Sequence, residues 1–468
     1  MAGQKAGATM AAIPGTVPSR SVFTMGTLAY RGIPAFIALC SFLAVSAIYL
    51  LGHTDAYIAI LRIYGIDPFR FPFVDISGSL AAWDCTRLGI DVVERDPCDV
   101  LGRGYTYAPL WMAGSFIPLG VSATGAVGWV LGLLFILCLT LLPPARRRWE
   151  LVLVILATNS TMVAFAVERA NPDILLFMLA IVTGFLAGGF LPARLFAYLT
   201  ALFAALLKYY PLTLLILSFR ERVGVFLATS LATAGLIALF FAAYLSEIER
   251  GWPLIAVGSY FTDLFAAKNL PFGLVEFIFG LSGRSAQMFS FTLLGAALYG
   301  VLVLNVARIC RRLMTRTALR TTFSRLAGYE QIFFVIGSVL TVGCFFAGQS
   351  VGYRGIFLLL VLPGLLAIAR LATDSALQRL CRTTAIVLVL LMWEEFFRTG
   401  LKAIFAWLDI PPLAETLSHL TLWLARELAW WWIVSVMTAC LLSFLAESET
   451  VRGFAQLSKR YLSSTRTG

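Results

Sequence analysis

Charge is scarce in this 468-residue chain: Asp, Glu, Lys and Arg make up 13% of it against 60% hydrophobic residues, where soluble proteins carry about a quarter charged. A soluble domain of ordinary composition is excluded, and no stretch reads as a separate one. Histidine is scarcer still. With only two, His53 and His419, a histidine-based triad lacks its usual base. The chain contains no GxxxxGK[ST] loop, no GxGxxG and no HExxH, so nucleotide-driven transport, dinucleotide chemistry and zinc proteolysis are without support.

What the chain has in quantity is apolar sequence. Runs long enough to cross about 30 Å of hydrocarbon lie near 33–52, 119–142, 150–167, 173–190, 223–245, 290–307, 330–347, 355–370, 383–397 and 427–446. They predict an all-α polytopic membrane protein with about ten full spans. Residues 31–446 are expected to form one membrane domain between a flexible tail at 1–30 and a basic tail at 447–468. A further segment, 195–219, is interrupted at Lys208-Tyr209-Tyr210-Pro211. Proline removes a helical hydrogen bond, so this segment is expected to be a broken hairpin that enters and leaves on one face.

Lys and Arg concentrate in short cytoplasmic loops. With both termini inside and the hairpin counted as such, the inner segments hold most of the 36 Lys and Arg and the outer ones most of the 25 acids. The formal charge of +11 is therefore a topology signal, and nucleic acid is not an expected partner. Three longer outer segments follow, at 53–112, 246–289 and 398–426, the last two read as interfacial covers.

The outer stretch from Pro72 to Trp111 is the candidate chemical centre, since eight acids lie between Asp55 and Asp99. A helix is expected from Val74 to Leu88. At 100° per residue Asp75 and Asp84 point to opposite faces, so they are not a paired acid and base, and Asp75 at the helix start also suits an N-cap. Asp91, Glu94, Asp96 and Asp99 have the oxygen ligands a hard cation wants, yet they read first as a solvated loop and no clear motif specifies a metal. Cys85 and Cys98, thirteen apart, fit either a disulfide in an oxidising compartment or two free thiols.

Three short motifs elsewhere carry charge where lipid disfavours it. Glu168-Arg169-Ala170-Asn171-Pro172-Asp173 opens a span: Asn171 and Pro172 read as a cap and first helical residue, Asp173 suits a helix N-terminus, and Arg169 sits where an anionic headgroup would meet it. Lys208 marks the apex of the hairpin, and ionisable groups at membrane depth are functional candidates, although a lysine can also snorkel to the headgroups. Arg354 follows a flexible turn from Gly348 to Tyr353. A carboxylate, several cations and aromatic walls at a lipid boundary suit attack of a hydroxyl on a carbon whose leaving group is a lipid phosphate.

Phe73-Val74-Asp75-Ile76, the Cys85 to Pro109 loop, Glu168 to Ile174, Leu207-Lys208-Tyr209-Tyr210-Pro211 and Tyr353-Arg354 before Ile356-Phe357-Leu358 together resemble the membrane-embedded glycosyltransferases of the GT-C superfamily. They are most similar to glycosyltransferase family 87, the polyprenyl-phosphate-mannose-dependent mannosyltransferase type. The resemblance implies a multi-pass enzyme of the bacterial plasma membrane that moves a sugar, mannose by default, from a polyprenyl-phosphate donor to a lipid or glycan acceptor on the outer face, with inversion. It implies that Asp75 is the general base and that Lys208, with Arg354, meets the donor phosphate. Arg169 is a third candidate for the phosphate, and Tyr107, Glu168, Asp173, Tyr209 and Tyr353 are candidate substrate-lining residues. Glu94-Arg95-Asp96 departs from the second acidic motif of related superfamily members. The alternative reading is a transporter or flippase of a lipid-linked saccharide, which internal repeats and midplane charges would favour.

Overall fold

The computed structural model of the chain describes residues 25–255, 258–281, 288–315, 317–409 and 411–464. Among these, nine helices are long and apolar enough to cross a membrane: Tyr30–Leu50, Val121–Leu139, Arg148–Arg169, Val223–Leu254, Ser290–Met314, Gly328–Ala347, Gly352–Leu371, Ser375–Met392 and Pro412–Ala446. The molecule is an all-α polytopic membrane protein. The span expected at 173–190 is the shorter helix Pro172–Ala187, started by the Asn171 cap and followed by Gly188. At about 1.5 Å per residue its 16 residues fall short of the hydrocarbon thickness, and its first turn is sunk inside the protein.

The interrupted segment folds back. Leu191–Leu207 is helical, Lys208 is extended (φ −162°, ψ 113°), and Tyr210–Arg220 returns as a 3₁₀ helix. Its two open ends are joined by Arg194 and Tyr198, which donate to Glu221 at 2.6 and 2.8 Å. Entry and exit therefore share one end of the bundle, and Lys208 lies at the other.

Other boundaries differ from the sequence reading. Most of the expected tail, residues 1–24, lies outside the described residues, and the first helix, Met25–Leu50, begins before residue 31. The run at 383–397 belongs to two helices, Ser375–Met392 and Glu394–Trp407, because the chain turns at Trp393. The run at 427–446 is the inner part of a 35-residue helix, Pro412–Ala446, so the expected loop at 398–426 is largely helical. At the other end, the described part of the expected tail is mostly the helix Glu449–Ser464, and 465–468 lie outside the described residues.

The antiparallel pair Gly328–Ala347 and Gly352–Leu371 forms the centre of the bundle. They approach closely because Gly337 has no side chain: a Cβ there would lie 2.7 Å from the Leu360 Cβ and 2.8 Å from the Phe357 carbonyl. At the end opposite Lys208, Arg370 bridges Glu150 at 2.9 Å and Glu330 at 3.1 Å. At the Lys208 end, a two-residue strand pair, Leu264–Phe265 with Ser350–Val351, ties the loop before residue 269 to the turn before Arg354.

Candidate active site

The start of the helix Val74–Arg87 is fixed by backbone, not by a side-chain cap. Phe73 takes a left-handed conformation (φ 66°, ψ 34°), and its N–H donates to the Glu168 carbonyl at 2.7 Å. Ala170, packed against Phe73, is left-handed as well (φ 44°). Two non-glycine residues in this region cost on the order of 1 kcal/mol each. Burial of Phe73 and Ala170 in one apolar cluster offsets that cost, and the arrangement turns Asp75 toward Asn171.

Asn171 joins the Asp75 carboxylate to the backbone at the start of the next helix. Its Nδ2 donates to Asp75 Oδ2 at 2.6 Å, and its Oδ1 accepts the Asp173 N–H at 2.9 Å. The helix cap expected from sequence is present, and the same side chain orients Asp75. Asp75 Oδ1 faces Arg103 Nη1 at 3.8 Å and stays available to accept a proton. Burial pushes the Asp75 carboxyl above its ordinary range, although the Asn171 hydrogen bond and the neighbouring cations pull the other way.

Asp173 is fully buried beneath this point. Its Oδ1 accepts from Lys208 at 2.8 Å and from the Tyr210 hydroxyl at 2.7 Å, and its Oδ2 from Arg354 at 3.3 Å. One carboxylate thus compensates two cations from distant parts of the chain, leaving a net positive charge at the surface above it. Arg354 is held further by Ser350 Oγ at 2.7 Å, and Lys208 Nζ lies 5.6 Å from the Tyr107 ring centroid.

These groups open on a cavity of about 610 Å³. Asp75, Tyr107, Lys208, Tyr209, Tyr353 and Arg354, all anticipated from sequence, line it. Glu168 and Arg169 do not. They form their own ion pair at 3.1 Å; Arg169 also donates to the Asp67 carbonyl and sits 4.6 Å over the Phe69 ring. Glu168 accepts from Tyr57 and borders a separate apolar groove with Phe73 and Trp129.

The acidic loop is less solvated than its composition suggests. Asp91 and Glu94 are exposed, but Asp96 and Asp99 are buried. Asp96 accepts the Cys98 N–H at 2.9 Å, and Asp99 accepts from Arg103 Nε at 2.8 Å. Burial alone would raise the Asp99 pKa, and the Arg103 guanidinium holds it below the usual value instead. Arg103 then crosses the helix to donate to the Val74 carbonyl at 3.0 Å. Gly78 leaves room for it, since a Cβ there would lie 2.8 Å from its Nη2. Cys85 and Cys98 form a disulfide that staples loop to helix. Asp96 lies beside them, but disulfide sulfurs are not thiolate ligands, so this group does not make a soft-metal site.

Three contributors were not recognised in the sequence as site residues. Arg103 carried no motif, and Asn171 read only as a cap. Lys268 was one charge among many in a long loop, yet it lines the cavity and has no ion pair among the described residues. The strand pair and the Ala267 N–H, which donates to the Phe345 carbonyl at 2.7 Å, bring its loop beside the Arg354 turn. No protein-family model, no curated protein and no solved structure matches the chain. The fold defines a multi-pass, all-helical membrane protein.

Proposed function

We propose that the protein is a membrane glycosyltransferase that takes a sugar, mannose by default, from a polyprenyl phosphate and passes it to a hydroxyl of a lipid or glycan acceptor. The observation that carries this reading is one cavity at the end of a membrane bundle, whose lining brings together the half-free carboxylate of Asp75 and the cations Lys208, Lys268 and Arg354. A soluble nucleotide-sugar donor would need no such placement. The resemblance of the motif set to GT-C glycosyltransferases of family 87 supports the same chemistry.

In the step envisaged, the acceptor oxygen attacks the anomeric carbon while its proton passes to Asp75 Oδ1. The bond from the anomeric carbon to the phosphate oxygen breaks, its electron pair stays on that oxygen, and polyprenyl phosphate departs. Attack opposite the leaving group inverts the configuration. Lys268, which has no carboxylate partner among the described residues, and the Lys208–Arg354 pair, which shares one, stabilise the negative charge that builds on the phosphate. Tyr107 and Tyr353 offer ring faces for the sugar. The excess of basic residues in the opposite loops supports an orientation with the site on the outer face and both termini in the cytoplasm, and the family resemblance implies a bacterial plasma membrane.

The direct test is Asp75→Asn in isolated membranes supplied with labelled polyprenyl-phosphate mannose. Transfer is lost while the amount of folded protein is kept; retention of full activity removes Asp75 from the mechanism.

A further inference from the structure

The C-terminal helix, Glu449–Ser464, begins just after the span Pro412–Ala446 ends, at the bundle end opposite Lys208. Three contacts fix its roll. Thr450 Oγ1 donates to the Glu221 carbonyl at 2.6 Å, and Phe454 meets Phe226 edge-on with ring centroids 6.4 Å apart. Gly453 lies against Val223, where a Cβ would come within 2.6 Å of the valine Cγ2. Val223 is the first residue of the span Val223–Leu254, so the first half of the helix sits at the depth where two spans end.

At 100° per residue Arg452 points away from Phe454, and Lys459 away from Leu457. The side that meets the body at Thr450, Gly453 and Phe454 therefore continues outward as an apolar stripe. The body covers only its beginning: Phe454 is 42% exposed and Leu457 52%. At this depth the acyl boundary of the bilayer is what covers such a stripe. The charged side is net positive. Arg320 and Arg452, from two different helices, share the Glu447 carboxylate: Arg320 Nε donates to Oε1 at 3.1 Å, and Arg452 Nη2 donates to Oε2. Arg222, next to Val223, and Lys459 are exposed and have no ion pair among the described residues. These four cations stand against two carboxylates, Glu447 and Glu449. A zwitterionic headgroup layer has no net charge to meet that excess, and an anionic one does.

We propose that Glu449–Ser464 is a membrane-surface helix whose partner is anionic lipid. Its apolar stripe enters the acyl boundary of the leaflet at this end of the bundle, while Arg222, Arg320, Arg452 and Lys459 meet the anionic headgroups. Thr450 ties the helix to Glu221, which Arg194 and Tyr198 also bind. The lipid contact therefore lies at the base of the hairpin that carries Lys208. The inference is independent of the transferase reading, which concerns the other end of the bundle.

The test follows backbone hydrogen exchange over 449–464 in the full chain, held as single copies in nanodiscs. The discs are made of phosphatidylcholine alone or with about one-third phosphatidylglycerol, which supplies the negative surface potential. Exchange is expected to be about tenfold slower in the anionic discs, the scale of two basic residues near a charged surface, and high salt to remove the difference. Arg452→Gln combined with Lys459→Gln is expected to bring the two kinds of disc within about twofold of each other. Leu457→Gln is expected to speed exchange in both. All three side chains are exposed, so folding is not at stake. Equal exchange of the wild type in the two discs, or a lipid dependence that survives undiminished without both cations, overturns the assignment. So does protection that arises only when two copies share a disc, which gives the stripe to a second copy of the chain.

Discussion

Asn171 donates to Asp75 at 2.6 Å across 96 residues of chain, so the proposed base is aimed by the cap of another helix. Asn171→Ser separates the two duties: serine still caps a helix, but its side chain is too short to reach Asp75. The variant is expected to fold, and kcat to fall by about a hundredfold with the donor KM little changed. Losing a hydrogen bond that favours the charged carboxylate also moves the acid limb of the pH profile upward. An unchanged pH profile would show that the contact does not act on Asp75.

Burial of Asp75 makes a paired statement about activity and stability. Its raised pKa places the acid limb of kcat above the ordinary aspartate value of about 3.9, with activity lost as pH falls and the base is protonated. For stability, a raised folded-state pKa means that ionising Asp75 costs folding energy. The cost is absent below the unfolded pKa and fully present above the folded one. Asp75→Asn is therefore expected to be inactive yet at least as stable as wild type at pH 7.5, the difference vanishing near pH 3. Thermal unfolding in detergent at the two pH values checks it, and a variant less stable at pH 7.5 contradicts it.

Asp173 is expected to matter more for the fold than for the chemistry. Removing it by Asp173→Ala leaves Lys208 and Arg354 without the carboxylate that both share, a loss of about 3–5 kcal/mol for a broken buried pair. Adding Lys208→Met removes one of the stranded cations, so the double variant is expected to recover part of that stability. Strictly additive losses in a thermal-shift series would show that the two residues do not interact.

Lys268 lines the cavity without an ion pair among the described residues, and Lys268→Met is expected to raise the donor KM by about tenfold, the scale of one charge-assisted hydrogen bond. Lys268→Arg keeps the charge and should retain most of the affinity. Equal losses in both would point to shape instead of charge, and no loss in either would take Lys268 out of phosphate recognition.

What was legible in the sequence follows from where the physical signal is local. Apolar runs define spans because lipid imposes a length, and Pro211 with Lys208 exposed the broken hairpin because neither suits a helix interior in lipid. Lys208 and Arg354 stood out for the same reason, as charges beside apolar sequence, whereas Asp75 was singled out by the resemblance of its motif. Arg103 and Lys268 did not, since in a polar loop a charge carries no contrast and only tertiary contacts assign it. Asp96 and Asp99 were misjudged on the same ground: acidic composition predicts solvation, but Arg103 and the backbone N–H of Cys98 give the two carboxylates buried partners. Helix ends near 393 and 412 were hidden because amphipathic helices such as Glu394–Trp407 show no apolar run.

The disulfide between Cys85 and Cys98 couples the fold to the site. It anchors the loop whose Asp99 holds Arg103, and Arg103 in turn meets Asp75 and the Val74 carbonyl. Closing a loop with a sequence separation of 13 stabilises a protein by about 3 kcal/mol in the chain-entropy view. Without the bond, the loop regains freedom and the guanidinium is no longer fixed across Gly78. Cys85→Ala with Cys98→Ala is therefore expected to lower the unfolding temperature by several degrees and to reduce kcat about tenfold or more. The loss should be larger than for either Asp91→Asn or Glu94→Gln, whose side chains are exposed on the same loop. Peptide mapping without reductant should find the two cysteines joined in wild type. A double variant with wild-type kcat would mean that the loop holds Arg103 without the staple, and that the bond serves stability alone.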